Sequence, residues 1–208
     1  MNVPRLLVIL IFWILIVSCA PAVETPLPTL LQPTPAATPI SADVLISQKA
    51  DQAIAALRAR DLSQLAELVH PPMGLRFSPY AFVREQDYVA AIEDVPDLFS
   101  QDVVYLWGVY DGSGMPIELT FAEYYDEFIF DQDFAHAPET AYNHRLGGEG
   151  GMINNIPDFY PGGIMVEYHF PGIDPEYGGL DWRSLRLVFL PYGEDWFLVG
   201  VVHDEWTT

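Results

Sequence analysis

Proline density sets the first limit on what this chain can fold into. Between Ala20 and Ile40 lie six prolines and four threonines in 21 residues, and proline at that spacing removes backbone donors and blocks both helix and sheet. Such a stretch favours extended polyproline II, rising ~3.1 Å per residue, so it makes a stalk of up to about 65 Å. A packed core has to come from residues 41–208, which hold every aromatic residue except Phe12 and Trp13. Half of the chain's residues are hydrophobic, too many for a disordered protein.

Ahead of the stalk, Met1 to Arg5 leads into an unbroken apolar run, Leu6 to Val17, followed by Ser18-Cys19-Ala20. Twelve residues of helix reach ~18 Å, well short of the ~30 Å hydrocarbon layer of a bilayer. The pattern is therefore that of a signal peptide rather than of a spanning helix. Its last residues, Ile16-Val17-Ser18-Cys19, resemble the lipobox of bacterial lipoproteins. That resemblance implies a diacylglycerol on the Cys19 sulfur and cleavage before it. Residues 1–18 are then a signal peptide, 19–40 a lipidated cysteine and linker, and 41–208 the folded domain, lipid-anchored on the extracytoplasmic face of a cell membrane. Cys19 is the only cysteine, so disulfides within the chain and multi-cysteine metal sites are excluded. The lipid consumes the thiol as well.

Nine Lys and Arg against 29 Asp and Glu give a net charge of −20, which argues against nucleic acid as a partner, since phosphate backbones demand clustered cations. Cleavage removes Arg5 and leaves eight basic against 29 acidic residues, a net charge of −21. Anionic headgroups repel such a body, so the lipid alone has to anchor it.

Within the domain, Ile46, Ala50, Ala53, Ile54 and Leu57 share one face of an amphipathic helix. Asp61 with Gln64 opens a second, short helix that Pro71-Pro72 ends, and Thr120-Phe-Ala-Glu123 is a capping box for a third. Strands are expected over Val103–Tyr110, Ile164–Phe170, Leu185–Leu190 and Phe197–His203, the last two joined by a five-residue connection, 191–195. Helices first and mainly antiparallel strands later make an α+β layout. The order of elements, with the segments Gly74–Val83, Trp107–Phe134 and Asp181–Thr207, is similar to NTF2-like extracytoplasmic domains. The resemblance implies N-terminal helices packed on a curved, mainly antiparallel sheet as a cone, an architecture that hosts enzymes, ligand binders and dimerisation modules alike.

Strand phase places His203 with Phe197, Val199 and Val201, where it is a candidate general base or a core-edge histidine bonded to a carbonyl. Glu167 and His169 share a strand face, with Arg186 on a strand near them. Joined by His203 these form either the polar floor of a pocket or, on a convex face, a solvated ion pair. Tyr105, Trp107, Trp182, Trp196 and Trp206 are candidates for stacking on sugar rings, with core packing as the alternative. The acidic loops Asp131–His136 and Asp174–Asp181 lack the calcium-loop pattern and read as solvated. Gly147 to Gly151 reads as a turn, because no Lys-Ser/Thr follows it. No zinc spacing, cofactor motif or serine-hydrolase elbow occurs.

The expectation is a membrane-anchored lipoprotein that binds a small ligand or an envelope protein without catalysis. The alternatives are an isomerase- or dehydratase-like enzyme using His203 or Glu167, and a domain that forms homodimers through its sheet. Replacing the anchor by Cys19→Ala is expected to move the protein from the membrane to the soluble fraction on cell fractionation. Tight membrane retention of that variant would overturn the lipid anchor.

Overall fold

The computed structural model describes residues 42–148 and 153–207. The expected signal peptide, Cys19 and the linker lie outside the described residues, as do positions 149–151 of the glycine-rich turn. Helix α1 (Ala42–Ala59) buries the expected stripe, joined by Ala56, with Asp43 in its first turn and Arg58 in its last to complement the helix dipole. It closes as a Schellman motif: Arg60 N donates to Leu57 O and Asp61 N to Ala56 O, with Arg60 held at φ 54°. Left-handed backbone is costly for an arginine. The cost is offset by its guanidinium, which lies 4.8 Å over the Tyr125 ring and pairs with Asp126. Asp61 then caps α2 (Leu62–Ala66), accepting from Gln64 N at 3.0 Å as its spacing predicts.

Strands β1 (Leu75–Ser78) and β2 (Val89–Ala90) follow, then the separate hairpin of β3 (Val104–Val109) and β4 (Pro116–Thr120). The Thr120–Glu123 capping box forms and opens α3 (Phe121–Tyr124). That single turn runs directly into a π-helical turn, Tyr125–Ile129, closed by Phe130 N donating to Tyr125 O. Beyond it come β5 (Glu139–Tyr142), α4 (Ile156–Phe159), β6 (Ile164–Phe170), β7 (Arg183–Tyr192) and β8 (Asp195–Glu205). The main sheet has the order β2-β1-β8-β7-β6-β5 and is antiparallel except where β1 runs parallel to β8. The fold is α+β, with helices against a curved, mainly antiparallel sheet. Among the described residues, no helix is long and apolar enough to cross a membrane.

Two local features differ from the sequence reading. Tyr192 pairs with Asp195, so β7 and β8 are joined by Gly193-Glu194 alone rather than by five residues. Gly193 takes φ 64° at the first turn position, the backbone a tight hairpin turn asks of glycine. In β8, Val188 pairs with Gly200 but Phe189 with Leu198, which leaves Val199 as the extra residue of a bulge. Strict alternation puts Val199 beside Val201 and His203. The bulge instead turns Val199 to the other face with Val202, while Leu198 and Val201 stay in the main core.

Both faces of the sheet are covered. On one lie α1, α2 and the aromatic run after β4. On the other, α4 and its flanking loops pack over Met165, Val188, Val199 and Val202. The Asn155 side chain pins this second layer, accepting from Val83 N and donating to Val83 O, each at 2.8 Å. In the main core Trp107 is fully buried, stacked on Tyr124 at 3.9 Å, with Nε1 donating to Leu119 O at 2.9 Å. Phe77 and Phe121 meet it edge-on or tilted. Trp107 is therefore a core residue and not a stacking platform. Tyr105 packs half-buried against the same cluster, its hydroxyl bonded to Gln101. Trp107→Ala should lower unfolding free energy by about 3–5 kcal/mol in urea denaturation, the cost of deleting a buried aromatic side chain; a loss below about 1 kcal/mol would contradict this packing.

Candidate functional site

The charged residues singled out in the sequence fall into two groups on opposite faces of the sheet. Glu167, Arg186 and Val202 are register partners on β6, β7 and β8, and all point away from α1. Arg186 is fully buried there, its Nη2 lying 2.9 Å from Glu167 Oε1 and 2.8 Å from Asp204 Oδ2. Arg145 reaches the same Asp204 oxygen at 3.3 Å. Glu167 also accepts from the backbone of Leu146 at 3.0 Å and of Gly147 at 3.2 Å. Burial pushes the Glu167 carboxyl up, but the Arg186 charge and these hydrogen bonds outweigh it and hold it below the usual carboxylate range. Burial likewise opposes the Arg186 charge, and Asp204 and Glu167 overcome it. A carboxylate committed to a cation and two N–H donors is a counter-ion and a loop anchor, poorly suited to take a proton from a substrate.

The face is thus neither an open pocket floor nor a solvated surface, because Arg145, Leu146 and Gly147 lie against it beside Glu167 and Asp204, and α4 packs over its other end. His169, next but one to Glu167, is almost fully buried and its Nδ1 lies 2.8 Å from Ser184 Oγ. Burial pushes it below the ordinary histidine range, only partly opposed by Glu167 and Glu139. Its imidazole is neutral at neutral pH.

His203 sits on the other face and does not join this group. It is wholly buried, edge-on to Phe128, with Nδ1 3.3 Å from Pro79 O and Nε2 3.5 Å from Asp131 Oδ1. Asp131 in turn accepts from Arg183 Nε at 2.9 Å, and Arg183 pairs with Glu205 at 3.0 Å. Burial disfavours the charged imidazole, yet the hydrogen bond and charge of Asp131 outweigh it, so the His203 pKa is raised. The expected polar floor of His203 with Glu167, His169 and Arg186 does not form, because alternate residues of β8 face opposite ways. A metal site on His169, His203 and Glu167 fails for the same reason. Among the described residues no group of three or more ligating side chains converges.

The acidic loops are largely exposed, as expected of solvated loops, but their carboxylates have partners: half-buried Asp131 lies beside His203 and Arg183, exposed Asp133 pairs with His136 and Arg58, and Asp181 accepts from Asp174 N at 2.6 Å.

One opening does bring sequence candidates together. Arg183 pairs with Glu205 where β7 begins and β8 ends, so Trp182 and Trp206 flank that pair on adjacent strands. Two-residue periodicity puts Trp182 on the face of Ser184 and Arg186, and Trp206 on that of Asp204. They line a cleft of about 330 Å³ together with His169, Gly147-Gly148 and Gly178-Gly179. The His169 and Trp182 rings lie 6.0 Å apart. Gly147 has to be glycine: a Cβ there would come within 2.7 Å of the Trp182 ring and 2.6 Å of Ser184 Oγ. The buried carboxylate therefore acts on the cleft at one remove, by fixing the Leu146-Gly147 backbone against which Trp182 rests. Trp196 packs elsewhere, half-buried against the main core. Sequence reasoning missed Arg145 and Ser184 altogether; the extension of strand alternation back from Arg186 to Ser184 and Trp182 was the available signal for the second.

Comparison of the chain with protein-family models, with curated proteins and with solved structures finds no match in any of the three.

The His203–Asp131 pair sets a pH signature. A folded pKa above the ordinary 6.5 makes the charged form contribute stability that is fully present below pH 6.5 and is lost as pH rises through the folded value. The lowered pKa of His70 and His169 acts with the opposite sign, through both proteins alike. The stability difference between wild type and His203→Gln, measured by urea unfolding, should be larger at about pH 5.5 than at about pH 8.5. A difference independent of pH would show that His203 is not held charged.

Proposed function

We propose that this chain is a lipoprotein whose NTF2-like domain, tethered through Cys19 to the extracytoplasmic face of a membrane, binds a small ligand without transforming it. The observation that carries this reading is the commitment of the chemistry-bearing residues. His203 is enclosed by Pro79, Asp131 and Phe128, and Glu167 is locked to Arg186 and two backbone amides. Neither residue lines the cleft beside Trp182 and Trp206 or the openings along α1 and beside α4. The helices-then-sheet order and the helix-covered concave face support the NTF2-like assignment. The cone interior is occupied by Phe77, Trp107, Phe121 and Tyr124, so the binding surface lies outside it, at the Trp182–Trp206 cleft.

A binding role without turnover makes two demands that one screen can check. In thermal-shift and ligand-detected NMR screening of a mixed library of sugars, amino acids, peptides and metabolites, some compounds should stabilise wild type and not Trp206→Ala, and should be recovered unchanged. Trp206 is 44% exposed, so its loss leaves the core intact. Recovery of converted compounds would overturn the non-catalytic reading, and hits shared equally by both proteins would move the site elsewhere.

A further inference from the structure

The cleft between β7 and β8 differs from the rest of the molecule in its charge. The chain carries 29 acidic residues, yet among the described residues lining this cleft there is no Asp, Glu, Lys or Arg. His169, the one titratable group among them, is kept neutral at neutral pH by its burial. Arg186, Arg145, Glu167 and Asp204 lie close by, but their two positive and two negative charges are paired with one another. A charged ligand entering here would lose water without gaining a counter-ion, which is a heavy penalty.

Two kinds of recognition group remain. The first is aromatic: the half-buried Trp182, braced from behind by Gly147, and the exposed Trp206 across the strand pair. Flat rings fixed in this way take up the apolar face of a flat, partly polar molecule. The second is bare backbone. Gly178 and Gly179, at φ 58° and 88°, carry peptide groups with no side-chain atom near the place a Cβ would take, whereas Gly148 lies against the Arg145 guanidinium. Together with the His169 ring, Gly178 and Gly179 offer hydrogen-bond partners without charge. A volume of about 330 Å³ is at the small end of ligand sites.

We infer that the Trp182–Trp206 cleft takes a neutral saccharide, its pyranose C–H face against a tryptophan ring and its hydroxyls bonded to the glycine backbone and His169. The inference rests on the binding role proposed above and names the chemical class of the ligand. A pyranose is the uncharged molecule that combines an apolar face with a rim of hydroxyls. An acidic sugar would meet a strongly negative protein, and an aliphatic ligand would leave the glycine peptide groups unpaired.

The full-length protein, held in a detergent without a sugar headgroup, would be titrated with maltotriose, cellotriose and chitotriose. Trigalacturonate and triglycine serve as the charged comparisons. Tryptophan emission and saturation-transfer NMR report binding. At least one neutral trisaccharide should bind, with affinity reduced by about tenfold or more in Trp206→Ala, as loss of a stacking ring entails. Gly147→Ala, which displaces Trp182, should weaken the same ligand. Trigalacturonate or triglycine binding more tightly than every neutral sugar, with the same sensitivity to Trp206→Ala, would overturn the saccharide inference and leave the binding role standing. Saccharide binding unaffected by either substitution would overturn the assignment to this cleft. No binding by any probe, with no compound from the wider screen separating wild type from Trp206→Ala, would overturn both.

Discussion

Arg186 on the central strand β7 holds two carboxylates from its neighbours, Glu167 on β6 and Asp204 on β8, with none of the three exposed to solvent. Taking such a group out of water costs several kcal/mol per ion, so it persists only where each charge is met at close range. That requirement joins three strands side to side in one register, since a slip of one residue would turn each partner to the opposite face. It also demands a cover. Leu146 and Gly147 are drawn down on the sheet by donating to Glu167, and Asn155 clamps Val83. The placement of Gly147, and of Trp182 against it, follows from where this arginine sits.

On the helix-covered side of the sheet the core is filled with aromatic side chains. The space between the β3–β4 hairpin, α3 and β1 is occupied by interlocking aromatic rings, and the π-helical turn after α3 lets Tyr124, Tyr125 and Phe128 all point inward. His203 is sealed into this side by Phe128 and by a chain of contacts through Asp131 and Arg183 to Glu205. That chain ties the end of β8 to the loop after the π turn, and the Asp131 carboxylate in it raises the His203 pKa against the effect of burial. The two tryptophans of the cleft lie outside this core, at the paired ends of β7 and β8.

The helices were legible from local rules because their determinants are local. The apolar stripe of α1, the Asp61 cap and the Thr120–Glu123 box each act within one or two turns. The hydrophobic alternation of β6 and the existence of the β7–β8 hairpin were legible for a similar reason, whereas its extent was not, since pairing carries both strands beyond their apolar runs to Tyr192 and Asp195. The short strands β1, β2 and β5 were not, since each has few residues and owes its extended form to a partner distant in sequence, as β1 does to β8. At the site, the shared face of Glu167 and His169 and the nearness of Arg186 could be read from period two. Whether that face was open, solvated or covered depended on a loop without periodicity. A single inserted residue at Val199 was likewise invisible to alternation, although it decides which β8 residues share a face.

What the sequence by itself determined is an apolar run from Leu6 to Val17, a proline-rich stretch from Ala20 to Ile40 and an α+β body in a strongly acidic chain, because composition and short-range periodicity carry those properties along the chain. Tertiary structure alone decided that His203 and Glu167 lie on opposite faces, that Trp107 is core, and that Trp182 and Trp206 meet across one strand pair. These outcomes depend on which residues become neighbours through strand register and a covering loop, and a buried charge network fixes that arrangement over distances no local pattern spans.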